Sequence, residues 1–322
     1  METNHTSLSE NKTYDFKFIG NGKEFFSIFI VNWLLTVVTL GIYYPWAKAN
    51  RLQYIYGNTE LEKNRFKFSG TGKEMFKGML IAIAGLLVIF GIIAGLVYLF
   101  NSIFFIFIIY LVMFALIPFA IHGTLKYRMS RTTWRGIRFG YRGNRVELIQ
   151  KFIGWAFLTL ITFGIYGAWM TIKLRTYAVS NVKMGSAQFK FKGDGGTYFG
   201  LIITGYLLTL VTLGIYSFWW RRDLYAYHIE NSWLELNDQK IQLEYTAKGM
   251  DFLVTDLLNA LTIVFTLGFG FPWAAVRTLQ LMMNKIELKG NINFDQLEQT
   301  ENNYKDATGE DIGDMLNLDF GI

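Results

Sequence analysis

The chain has 322 residues, 52% hydrophobic, 17% aromatic and only 17% charged, with a mean hydropathy of +0.25 and a net charge of +6. Soluble domains carry about 25% charged residues, so this composition points to a membrane protein. The chain has no cysteine, which excludes disulfides, thiolate nucleophiles and cysteine metal sites.

Residues 1–15 read as a polar tail without the apolar core and small-residue site of a cleavable signal. Five related units follow, over 16–65, 66–136, 137–188, 189–240 and 241–290, and 291–322 forms an acidic tail. The tail carries a net −7, which leaves +13 on the rest. That basic body suits anionic phospholipid headgroups. Nucleic acid is not expected, because the bases lie between apolar runs.

Unit one opens with "FKFIGNG" at Phe16, where apolar and cationic residues alternate with period two, a strand signal. Glycines follow, then an apolar stretch over 25–40, the phrase "LLTVVTLGIYYPWAK", and the bases Lys48 and Arg51. Unit two repeats the strand signal as "FKFSGTG" at Phe66 and then differs. Its apolar stretches 79–98 and 103–122 are each 20 residues long, enough to span a bilayer. Basic residues flank the pair, which by the positive-inside rule puts both flanks in the cytoplasm.

Units three, four and five return to the short form with "FLTLITFGIYGAWM" at Phe157, "LLTLVTLGIYSFWW" at Leu207 and "ALTIVFTLGFGFPWA" at Ala260. Aligning Phe18, Phe68, Phe139, Phe191 and Leu243 gives spacings of 50, 71, 52 and 52. The break glycines Gly41, Gly164, Gly214 and Gly268 suit helix ends, because glycine accepts a left-handed conformation. Paired threonines, such as Thr36 and Thr39 or Thr209 and Thr212, suit close helix packing and the freed carbonyls of the turn; lining a pathway is the alternative. Trp46, Trp169, Trp219 and Trp273, matched by Phe119 in unit two, suit an interfacial belt.

The expected fold class is an all-α polytopic membrane protein of about five tandem helical hairpins, with short cytoplasmic β-hairpins between repeats that pair into a sheet or collar. A short hairpin that is re-entrant or barely spanning is preferred. One crossing per short unit, with β segments alternating sides, remains open.

The combination of "FKFIGNGKEF", "TLGIYYPWAKANR" and the closing "GEDIGDMLNLDFGI" resembles the YjgN family, bacterial inner-membrane proteins built on domain of unknown function 898. The resemblance covers nearly the whole chain. It implies a multi-pass inner-membrane protein and no particular activity; from the cytoplasmic placing of the basic flanks, both termini are expected in the cytoplasm.

No catalytic motif is legible, so an enzyme is not expected, nor a cofactor. The histidines His5, His122 and His228 lack a metal-ligand pattern. "GNGKEFF" and "GTGKEMF" mimic a phosphate loop without its full spacing; Lys23 and Lys73 become candidates for a lipid headgroup. Asp256 lies within an apolar helix and, with Lys48 and Arg51, is a candidate intramembrane site; a base from another unit is its expected partner. The acidic tail has an apolar face suited to docking on the basic hairpins or to a partner. Two functions stay open: a channel, transporter or lipid-handling protein, or a scaffold or regulatory subunit presenting the β collar and acidic tail to a membrane partner or another copy.

Overall fold

Alternating residues make each unit's entry strand, and a three-residue turn converts it into a helix. The computed structural model describes residues 12–100 and 104–300. Unit one runs β1 (Thr13–Phe18), α1 (Gly22–Val38), α2 (Tyr44–Gly57), β2 (Thr59–Leu61). Unit two runs β3 (Asn64–Phe68), α3 (Gly72–Phe100), α4 (Phe104–Ser130), β4 (Thr132–Trp134). Unit three runs β5 (Ile137–Tyr141), α5 (Arg145–Ile161), α6 (Gly167–Ser180), β6 (Val182–Met184). Unit four runs β7 (Ala187–Phe191), α7 (Gly195–Val211), α8 (Ser217–Glu230), β8 (Ser232–Leu236). Unit five runs β9 (Gln239–Tyr245), α9 (Gly249–Phe265), α10 (Phe271–Met283), β10 (Ile286–Lys289).

The two strands of each unit pair antiparallel with one another, as Lys17 with Glu60 and Leu288 with Leu243 show. Tight turns then join successive units. Both central residues have positive φ at Glu62 and Lys63, at Arg135 and Gly136, and at Asn237 and Asp238, the handedness that matches strand twist. β1 pairs finally with β10, Thr13 opposite Lys289, and closes a ten-stranded barrel. All helices therefore leave one rim, and the tight turns form the other. Above the first rim the helices neighbour one another around a second closed ring, with α10 packed on α1.

The barrel is filled. Tyr14, Phe16 and Phe18 face inward, while Thr13, Asp15 and Lys17 face out. Trp134 and Ile241 are fully buried, and Leu234, Met184 and Leu288 nearly so. Phe16 stacks near Phe66 and Phe139 near Phe189, each with centroids 6.2 Å apart. At the turn-bearing rim the segment after β10 crosses the opening. Phe294 meets Tyr14 and Trp134 edge-on, both at 5.1 Å, and Asp295 pairs with Arg135 at 2.5 Å. The acidic tail thus begins by docking on the barrel, as Thr300 also does through a 2.7 Å bond to the Gly185 carbonyl. The apolar face read in the acidic tail, on "EDIGDMLNLDF" over 310–320, lies outside the described residues, as does His5.

This architecture overturns the all-α polytopic reading. The organising element is a closed barrel, and among the described residues only α3 and the 108–130 part of α4 are long and apolar enough to cross a membrane. The short first helices have 17 residues, about 25 Å at the standard rise and less than the ~30 Å hydrocarbon core. The β segments fall within one barrel and so lie on one side of any membrane the helices enter. Strands alternating between sides are excluded. The strand alignment also shifts: in units three and five the residues equivalent to Phe18 are Tyr141 and Tyr245, at the strand ends, and not Phe139 and Leu243.

Candidate functional site

The helix-bearing rim starts from the G-x-G turns. At Gly20 a Cβ would lie 2.7 Å from both the Phe18 ring and the Tyr54 hydroxyl, so the first glycine makes room for that ring. The middle residue caps the helix: Asn21 Oδ1 accepts from the Glu24 amide at 2.9 Å, and Asp194 from Thr197 at 2.7 Å. The second glycine receives a tryptophan from the preceding unit. A Cβ at Gly72, Gly195, Gly249 or Gly22 would fall 2.2–2.4 Å from Trp46, Trp169, Trp219 or Trp273 respectively. The four tryptophans read as a belt are thus seated at the junctions between units. At the remaining junction Arg145 replaces the glycine and Phe119 the tryptophan, the guanidinium lying 6.0 Å from the ring centroid. Lys23 and Lys73 stand exposed beside these turns, whose first amides are already capped by Asn21 and by Thr71 with Glu74.

At the far end of each short hairpin the break has a different form from the expected one. The left-handed residue is Leu40, Phe163, Leu213 or Leu267, with φ of 49–51°. Gly41, Gly164, Gly214 and Gly268 come next, at φ of 91–95°. The amide of Gly41 donates to Thr36 at 2.7 Å and that of Leu40 to Val37 at 3.0 Å, a Schellman pattern with leucine in glycine's usual place. The second threonine stitches the two helices together. Thr212 Oγ1 donates to the Leu208 carbonyl at 2.7 Å and accepts from the Tyr216 amide at 2.9 Å; Thr39, Thr162 and Thr266 repeat this. The four left-handed residues are 90–98% exposed.

Among the intramembrane candidates, Asp256 on α9 pairs with Arg221 on α8, a base from the neighbouring unit. Lys48 and Arg51 are not its partners: Lys48 is buried in α2 and Arg51 is exposed. Arg221 occupies Lys48's place in unit four, two residues beyond the tryptophan. A groove of about 570 Å³ beside α5, α6 and the start of α7 has Lys151 and Lys173 on its walls. Both are engaged, with Glu147 and with the Tyr166 hydroxyl, each at 2.6 Å. No group of metal-ligating side chains occurs among the described residues.

One polar cluster was not singled out from sequence. Arg175 on α6 lies over the Phe191 ring at 5.6 Å, and Tyr198 stacks obliquely on His228 at 5.2 Å. Burial depresses the Arg175 guanidinium to about 10, offset in part by Tyr225 and Tyr198, so it stays cationic at neutral pH. Burial, aided by Arg175, depresses His228 to about 4. The signal available was positional: the residue six beyond the aromatic is Leu52, Leu125, Arg175, Tyr225 and Leu279 in successive units.

The family described as "Bacterial protein of unknown function (DUF898)" matches over residues 13–192, 186–258 and 239–315. The chain belongs to the DUF898 family. Relatives of this DUF898 chain include the inner membrane protein YjgN of Salmonella typhimurium strain LT2, 32% identical over 143 residues, which are 43% of this chain and 34% of the relative. YjgN of Escherichia coli O157:H7 is 31% identical and that of strain K12 30%, each over 40% of this chain and 31% of theirs. The matched stretch spans about a third of the length of these relatives. No solved structure matches. With its two helices of spanning length and apolarity, this DUF898 chain is a membrane protein.

Proposed function

We propose that the chain is an inner-membrane scaffold. Its unit-two helices cross the bilayer, its four short hairpins dip into one leaflet, and its filled barrel stands on the cytoplasmic face as a platform for a partner protein. The tip residues carry this reading. An apolar side chain in a left-handed conformation costs roughly 1–2 kcal/mol, and exposure to water would cost more. Leu40, Phe163, Leu213 and Leu267 have both features at once. Burial in hydrocarbon offsets the strain, at about 1.5–3 kcal/mol per side chain. Lys17, Lys67, Arg138 and Lys190 on the outer barrel strands favour the cytoplasmic side and its anionic lipids. The names of the relatives support the inner membrane. The packed barrel interior favours a scaffold over a passage protein, since any solute would have to travel beside the barrel.

The chain lacks cysteine, so single cysteines at Leu40, Leu213 and Leu267, and at Lys17 and Lys67, can carry an environment-sensitive fluorophore in nanodiscs. Tip labels should be quenched by brominated acyl chains and shielded from aqueous iodide, and barrel labels the reverse. Iodide reaching the tips as readily as the barrel would defeat the reading.

A further inference from the structure

The five units set equivalent residues at one position, six beyond the junction aromatic, where each unit's second helix meets the next unit's strand. In three units that residue is leucine. Leu52 shares a buried cluster with Phe68, Leu125 lies in the cluster of Tyr141, and Leu279 packs on that of Phe18. Leucine therefore suffices to build this layer. In unit three the position holds Arg175, over Phe191. In unit four it holds Tyr225, edge-on to Tyr245 at 4.8 Å.

A guanidinium placed there must replace its lost hydration. Removing such a cation from water without a counter-charge costs several kcal/mol. Among the described residues Arg175 has no carboxylate partner, and its Nε is closed off from solvent without a hydrogen-bond acceptor. The groups around it are not acids. They are the hydroxyls of Tyr198 and Tyr225 and the His228 ring, whose Nδ1 is also sealed and unbonded. Neither tyrosine hydroxyl bonds to another described residue, whereas the nearby Tyr227 is fully used, exchanging two 2.7 Å bonds with Asp194. Arg175, Tyr225 and His228 all keep partial exposure, so a ligand approaches through their exposed atoms and not through the sealed Nε and Nδ1. Two phenols lie within electrostatic reach of a cation that has no carboxylate partner among the described residues.

We propose that Arg175, with Tyr198, Tyr225 and His228, binds an oxyanion of the phosphate class at the junction of barrel and helical ring. Arg175 supplies the charge and planar donors, which suit phosphate oxygens. The tyrosine hydroxyls complete the donor set, and His228 stays neutral beside the guanidinium. A free phosphate and a lipid phosphomonoester offer the same chemistry to these groups, and the two sources are separated by experiment.

The full chain in detergent would be titrated with inorganic phosphate, followed by its thermal midpoint, and in parallel with phosphatidic acid, followed by native mass spectrometry. Arg175→Leu installs the residue that units one, two and five already carry. It should fold, and should lose at least tenfold in affinity for whichever probe the parent binds. Stabilisation by phosphate in the parent alone assigns a soluble ligand. Retention of phosphatidic acid with no response to phosphate assigns a headgroup. Parent and Arg175→Leu responding alike to both probes overturns the site, as does a parent that responds to neither. Should Arg175→Leu fail to fold, Tyr225→Phe decides, because it keeps the charge and removes one donor. A several-fold weaker response upholds the site, and an unchanged one overturns it.

Discussion

A single methyl group tests the junctions. A Cβ at Gly195 would sit 2.2 Å from the Trp169 ring, whereas at Gly200, five residues further along α7, it would meet nothing within 4 Å. Gly195→Ala should lower stability by about 1–3 kcal/mol through overpacking. Gly200→Ala should leave it unchanged or raise it by up to about 1 kcal/mol. Unfolding in mixed micelles compares the two directly, and equal effects would mean that Trp169 does not set the junction. Thr212→Val removes both bonds of the hairpin stitch and should cost about 1 kcal/mol, since the Tyr216 amide it satisfies is only part-buried. Leu213→Gly, at the next residue, should stabilise the detergent-solubilised chain by relieving the left-handed strain, while weakening lipid contact. A destabilised Leu213→Gly in detergent would show that the tip packs on protein.

His228 adds a pH dependence with a definite sign. Its folded value of about 4 lies below the usual 6.5, from burial first and Arg175 second, so the unfolded chain takes up the proton first. Its contribution to stability is complete above about pH 6.5 and is lost as pH falls towards 4. His228→Gln should flatten the thermal midpoint over that window, and an identical acid slope in parent and variant would assign the loss to other groups.

At the scale of elements, much was legible and the rest had reasons to be hidden. Period-two stretches and their Gly turns marked every entry strand. The short return strand before each entry strand was readable too, as in "NTELEKNRFKF", "TTWRGIRF" and "NSWLELNDQKIQLEY", although β2, β4 and β6 have only three residues each. The pairing of β1 with β10 that closes the ring has no local signal, so a β collar was foreseeable and a closed barrel was not. "IRFGYRG" misled the alignment because its aromatic terminal residue is Tyr141, beyond the Phe139 that looks like the match. A partner for Asp256 from another unit was readable from charge, and its identity was not, since Lys48 and Arg221 occupy equivalent places. Arg175 was hidden among many bases and stands out only once the units are superimposed. The shared rim yields a labelling test. Single cysteines at Thr71, Asn144, Asp194 and Lys248 should react with an impermeant thiol reagent only in inside-out vesicles. Reaction of any one in right-side-out cells would break the single-sided arrangement.

Across the whole molecule, one unit departs from the others, and its departures fall together. Unit two carries the two spanning helices, and its junction with unit three replaces the tryptophan and glycine with Phe119 and Arg145. α3 is 12 residues longer than α1, about 18 Å of additional reach. On the proposed topology, in which α3 crosses the bilayer, the short hairpins would end near its middle.

The pairing of β1 with β10 also sets an order of events during synthesis. Thr13 finds its partner Lys289 only after almost all of the intervening chain has been made, and contacts this distant in sequence form late. Until then β1 has one edge paired with β2 and the other bare, the kind of edge that recruits foreign strands. The growing protein is an open fan of helical hairpins, and on the proposed topology lipid around those hairpins would hold the fan in place while its last blade is translated. A chain halted after Asn284 should leave the outer edge of β1 open to hydrogen exchange and the protein prone to associate through it, whereas a chain carried through Lys289 should protect that edge.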